Sequence, residues 1–156
     1  MIEPGTRFGP PRVALLALLL VAPACSGGSG GGPEATLTIH TARGEVEVAV
    51  EVADSSEERQ RGLMGRQELA PDAGMVFLHE EPSTSGFWMK DTLIPLSVAF
   101  WDDQGRIVGL VDMEPCRSEP CDVYAAPGPW VGAVEVNQGF FANSGVRVGD
   151  RVTGPA

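Results

Sequence analysis

Lys90 is the only lysine in a chain of 156 residues whose other ten basic side chains are arginines. It stands in "SGFWMKDTLIPLSVAFW", between Trp88 and an apolar run. Strand alternation would put Trp88, Lys90 and Thr92 on one side and Phe87, Met89 and Asp91 on the other. An ammonium beside an indole is held by cation–π attraction, and its methylene stem can cover apolar surface while the charge finds water or a carboxylate. The same lysine at the mouth of a pocket would bind an anionic ligand or act with a lowered pKa. Both roles fit the spacing. Arg61 and Glu135 are its natural companions. Glu135 lies in "VEV": if Val134 and Val136 point into the core it faces solvent, and if its own face is inward the carboxylate needs a cation, from Lys90 or Arg61.

Other chemistry is less well supported. Met64, Met75, Met89 and Met113, with His79 and Cys116, invite soft-metal binding such as monovalent copper. They are scattered singly through apolar segments, which favours core packing, and copper stays an alternative. The chain has no Gly-x-Ser-x-Gly elbow, no phosphate-cradling glycine loop and no His-Glu-x-x-His. His40 and His79 can still meet a serine or Cys116 in space. A hydrolase-like site using Lys90 and Glu135 is the enzymatic alternative. The pairs Glu80 with Glu81 and Asp102 with Asp103 read as solvated turn charges. On this reading no catalytic residue, metal ligand or cofactor is assigned.

The elements that must position these residues are mostly strands. "ATLTIHT" and "GEVEVAVEVA" alternate with period two around the turn "ARG", a β-hairpin in which Val46, Val48, Val50 and Val52 point one way and Glu45, Glu47 and Glu51 the other. Ser55 with Glu58 three residues on is a capping box, predicting a short helix from Glu57 to Arg61 that Gly62 ends and in which Glu57 and Arg61 can pair. "MVFLHE" is a buried strand. "LSVAFW", the turn "DDQG" and "RIVGLVDM" form a second hairpin, with Leu96, Val98 and Phe100 opposite Ser97, Ala99 and Trp101. "WVGAVEVN" is a further strand, "NQG" a turn, and "GVRVGDRVTG" a closing strand pair. The fold expected is mainly β with one or two short helices, a curved antiparallel sheet forming a sandwich or partly closed barrel.

The ends bound the compartment. Arg7 and Arg12 precede the apolar run "VALLALLLVA", and the small residues Ala22 and Ala24 lead to Cys25, the order of a secretory signal over residues 1–24. The run is too short for a stable membrane anchor. Cleavage after Ala24 makes Cys25 the N-terminus, which resembles a bacterial lipoprotein signal; a plain Ala-x-Ala cleavage leaving a free Cys25 is the other reading. Residues 25–34, with "SGGSGGGPEA", form a glycine- and serine-rich tether that cannot bury apolar surface. Residues 35–156 then make one domain, long enough to build a core without metal. Loss of Arg7, Arg12 and Glu3 leaves 9 basic and 20 acidic residues, net −11 against −10 for the whole chain. That charge disfavours nucleic acid and anionic membrane surfaces, so membrane attachment would come from lipid on Cys25. In an oxidising compartment Cys116 and Cys121, in "EPCRSEPC", would pair as a disulfide rather than hold a metal.

The motifs "RGLMGR", "FWMKDTLIPL", "MEPC" and "AVEVNQG", followed by "GVRVGDRV", occur in an order that resembles the domain of unknown function 192 family of bacteria and archaea. The resemblance runs from about Glu57 to Val152. It implies a compact β-rich domain, often exported, and implies little about activity. Two positions depart from the family's pattern: Asp91, where asparagine is commoner, and Ser97, where aspartate is commoner. Together these features describe an exported, lipid-anchored envelope protein at the periplasmic face of a membrane, or a soluble exported one. Its domain would be a non-catalytic module binding a small ligand or an envelope protein through Arg61, Trp88, Lys90, Thr92 and Glu135.

Overall fold

The computed structural model describes residues 35–155; the signal over residues 1–24, Cys25 and the tether of residues 25–34 lie outside them. The chain runs through β1 (Ala35–Thr41), β2 (Gly44–Ala53), α1 (Ser56–Arg61), β3 (Ala73–Ser83), β4 (Gly86–Trp88), β5 (Leu96–Trp101), β6 (Ile107–Met113), β7 (Val123–Ala125), β8 (Trp130–Asn137), α2 (Phe140–Ser144) and β9 (Arg151–Thr153). Seven strands form one sheet in the order β6-β5-β8-β3-β2-β1-β9, while β4 and β7 pair separately. The large sheet curls into a half-barrel. Its ends are laced by backbone hydrogen bonds from Ile107 N to Asp150 O at 2.9 Å, Gly149 N to Ile107 O at 2.8 Å and Val152 N to Gly105 O at 2.7 Å. This lacing covers edge groups that would otherwise be open to pairing with another chain.

The β1–β2 hairpin forms as the alternation predicts, with Ile39 opposite Val46 and Leu37 opposite Val48. The sheet is antiparallel except between β2 and β3, which run parallel. Parallel neighbours need a long crossover, and α1 with the segment to Ala73 supplies it. Ser55 Oγ accepts from Glu58 N, and the Glu58 carboxylate accepts from Ser55 N, the reciprocal cap expected at the start of α1.

Both faces of the central strands are covered. One core joins Leu37, Ile39, Val48, Val50, Val76, Ala99, Ile107, Val134 and Val136, with Phe141 and Val146 of the α2 region across it. The other packs Leu63, Met75, Phe77, Met89, Leu96, Val98, Phe100, Met113 and Trp130 beneath the crossover and the small sheet. All six residues of β5 are therefore buried, as in strands sandwiched on both sides.

Three local expectations change. The stretch from Gly145 gives one short strand, β9, instead of a strand pair, because it first forms turns around Arg147 N donating to Asp150 Oδ2. The preceding residues 140–144 form α2, bracketed by Gly139 and Gly145 at positive φ. Finally, the strand carrying Trp88 ends there. Met89 O accepts from Thr92 N and Cys116 N, which closes a turn and breaks the alternation that would align Trp88, Lys90 and Thr92.

Candidate functional site

Phe87 anchors β4. Its ring packs edge-on to Phe77 with centroids 4.8 Å apart and tilts against Phe100 and Trp130 at 5.6 and 5.8 Å. Alternation then turns Trp88 outward, where it is 47% exposed. The turn that follows is fixed from two sides. Gly65 N in the crossover donates to Asp91 O at 2.8 Å, and Cys116 N in the cysteine loop donates to Met89 O at 3.2 Å. Asp91 has φ of 53°, a left-handed conformation that aspartate and asparagine tolerate better than most residues. The departure from asparagine at this position therefore keeps the backbone requirement.

Lys90 projects from this turn. Its Nζ lies 2.7 Å from Glu119 Oε1 and 5.7 Å from the Trp88 ring centroid. The hydrogen bond to Glu119 raises the lysine pKa and lowers that of the glutamate. Glu119 belongs to the loop closed by the Cys116–Cys121 disulfide. Beside this pair, Glu57, Gln60 and Arg61 of α1, with Met64, Trp88, Lys90 and Asp91, line an open pocket of about 390 Å³. Among the described residues Arg61 forms no salt bridge, including none with Glu57. Three of the five residues singled out in the sequence, Arg61, Trp88 and Lys90, thus share one pocket.

Thr92 and Glu135 do not join its lining. Thr92 is buried, and its hydroxyl donates to Lys90 O at 3.3 Å, so it braces the turn. Glu135 is 4% exposed, on β8 between Met75 of β3 and Val98 of β5. Val134 and Val136 do point into a core, yet Glu135 is not in solvent, because the crossover covers the opposite face as well. Gly62 stands over it: a Cβ there would be 3.9 Å from Glu135 Oε2. Burial alone pushes the Glu135 carboxyl up to about 8, with neither Lys90 nor Arg61 contributing. Instead of the ion pair its burial would demand, Glu135 is held as a neutral acid at pH 7.

The remaining chemistry-bearing residues are dispersed. Met75, Met89 and Met113 are core residues, Cys116 is in the disulfide, and His79 sits edge-on to Trp130 at 4.8 Å. Burial, aided by Arg59, lowers the His79 pKa. His40 binds Thr153 Oγ1 at 2.8 Å and Glu45 at 3.2 Å on the surface. Asp102 Oδ1 accepts from Gln104 N and Arg106 N, as a turn charge should. No group of three or more His, Cys, Asp or Glu side chains among the described residues is placed to hold a metal. Ser97 is buried, donating to Asp112 Oδ1 and accepting from Gly139 N, and is absent from the Lys90 pocket lining. Sequence reasoning did not anticipate Met64 at the pocket or Glu119 on the Lys90 ammonium beside it. Glu119 is separated from Lys90 by the whole β5–β6 hairpin, and only the "FWMK" and "EPC" motifs together could have suggested that their loops meet.

Comparison with known proteins agrees with this architecture. A crystal structure of a protein of unknown function from Novosphingobium aromaticivorans DSM 12444 is 32% identical, with a TM-score of 0.71 over 76% of this chain and 84% of its own. One from Sinorhizobium meliloti 1021, called a "putative transcription regulator", is 33% identical, with a TM-score of 0.71 over 76% of this chain and 92% of its own. Nothing matches among curated proteins. Residues 38–154 match the DUF192 profile, described as Uncharacterized ACR, and the chain belongs to that family.

Proposed function

We propose that the domain is a non-catalytic binding module for anionic ligands with an apolar part, carried by an exported envelope protein that lipid on Cys25 ties to the periplasmic face of a membrane. The observation that carries the binding reading is the convergence on one open pocket of Arg61, which forms no salt bridge among the described residues, the exposed indole of Trp88 and Lys90. A cation fixes a carboxylate or phosphate, while the indole and the Met64 thioether shed water from an apolar group. The pocket is shallow, which suits a peptide segment or a small ligand held on one side. Export and anchoring rest on the charged, apolar and small-residue order before Cys25.

The hydrolase alternative needs Lys90 and Glu135 to act on one point. Lys90 is engaged at the surface by Glu119 while Glu135 lies beneath Gly62, an arrangement that favours binding over catalysis. Native mass spectrometry of the full chain, extracted from membranes in detergent, tests the proposal. The expected result is an added mass that denaturation removes and that Lys90→Met lacks, with Cys25→Ser shifting the protein to the soluble fraction. An added mass retained in Lys90→Met would place the ligand elsewhere, and an unshifted Cys25→Ser would refute the anchor.

A further inference from the structure

The cysteine loop presents a carboxylate to the very cation that the proposed pocket would offer a ligand. The Cys116–Cys121 bond closes a ring of six residues, and Glu119 within it reaches Lys90 Nζ at 2.7 Å. The Glu119 side chain is 69% exposed, so burial does not require it to have this partner. Nor does the ring pack it against a core, since Arg117, Ser118, Glu119 and Pro120 are all exposed. What the ring does supply is proximity: a tethered group competes at the effective concentration its short loop sets.

We infer that Glu119 is a built-in occupant of the Lys90 site, and that the site takes carboxylates bearing an aromatic or aliphatic group, which bind by displacing Glu119. The inference rests on the binding reading given above. It adds the ligand's chemical class and its internal competitor. Among the described residues the anion seated on Lys90 is a carboxylate, and the same Nζ lies 5.7 Å from the Trp88 ring centroid. An incoming carboxylate keeps the charge pairing of Lys90, can also reach the Arg61 guanidinium of the same pocket, and lays its apolar group on Trp88 and Met64. Glu119, when released, moves into water without a desolvation cost, so displacement is a simple exchange at an exposed site.

N-acetylphenylalanine, which joins a carboxylate to an aromatic ring, is a suitable probe. Its dissociation constant is measured by isothermal titration calorimetry on the full chain for the wild type, Glu119→Gln and Lys90→Met, with thermal melting to verify folding. Glu119→Gln removes only the exposed competitor and should tighten binding by about two- to fivefold, the range of an exposed ion pair. Lys90→Met should weaken it at least as much. Equal affinity in Glu119→Gln and wild type, with loss in Lys90→Met, would overturn the competitor and leave the binding site. Equal affinity in all three, or no binding to any, would overturn both.

Discussion

Gly62 and Glu135 face each other across the outer core: the position of a Gly62 Cβ would be 3.4 Å from Phe77 Cζ and 3.9 Å from Glu135 Oε2. The end of α1 thereby roofs a carboxyl that has no cation beside it among the described residues. The roof also fixes where Arg61, the last residue of the helix, meets Met64 and Trp88. The buried acid and the surface pocket are thus two sides of one crossover.

Glu135 makes the stability of the fold depend on pH in a defined direction. Its folded pKa of about 8 lies above the ordinary 4.5, so between these values the folded state keeps a proton that the unfolded state has released. Its contribution is full below 4.5, falls as pH rises, and is lost through about 8. The integrated effect is on the order of a few kcal/mol. Glu135→Gln keeps the shape without the titration. In urea unfolding between pH 5 and 9, the stability of the variant relative to wild type should rise with pH. Parallel curves would refute the neutral acid.

Gly62→Ala should destabilise the domain by about 1–2 kcal/mol, because φ of 47° is costly for a residue with a Cβ. The contact with Phe77 is ordinary van der Waals distance and adds little. The same variant should disturb the pocket, since Arg61 immediately precedes it. Equilibrium unfolding with unchanged stability would show that the turn relaxes freely.

The hairpin, the capping box and the β5–β6 pair were legible because each is a local pattern: period-two valines in β2, Ser55 with Glu58, and the turn "DDQG" between apolar runs. The failures are non-local. β4 stops at Trp88 because Cys116, far along the chain, shares the Met89 carbonyl. Glu135 read as either facing solvent or turned inward against a cation, because alternation cannot tell a strand covered on one face from one covered on both. Helix α2 was missed because its five residues carry no apolar periodicity and are defined by flanking glycines. Within the site, Arg61, Trp88 and Lys90 could be chosen by chemical type, whereas Glu119 required knowing which loops meet.

The Cys116–Cys121 ring predicts a modest effect of reduction. On the chain-entropy account a loop this short stabilises by roughly 2 kcal/mol. Cys116→Ser with Cys121→Ser should lower the free energy of unfolding by that amount while leaving a folded domain, because both cores are built from other segments. Intact mass with and without reductant should show the two thiols only after reduction. Free thiols in protein purified without reductant would contradict the bond.

Binding at the Trp88 face can be read from a single indole signal. The chain has three tryptophans, of which Trp101 and Trp130 are buried and Trp88 is exposed. Nuclear magnetic resonance of the protein labelled with nitrogen-15 at tryptophan gives one indole signal for each. On titration with N-acetylphenylalanine the Trp88 signal should move to saturation while the other two stay, and Lys90→Met should abolish the shift. A stationary Trp88 signal, or a shift confined to Trp101 or Trp130, would contradict the account.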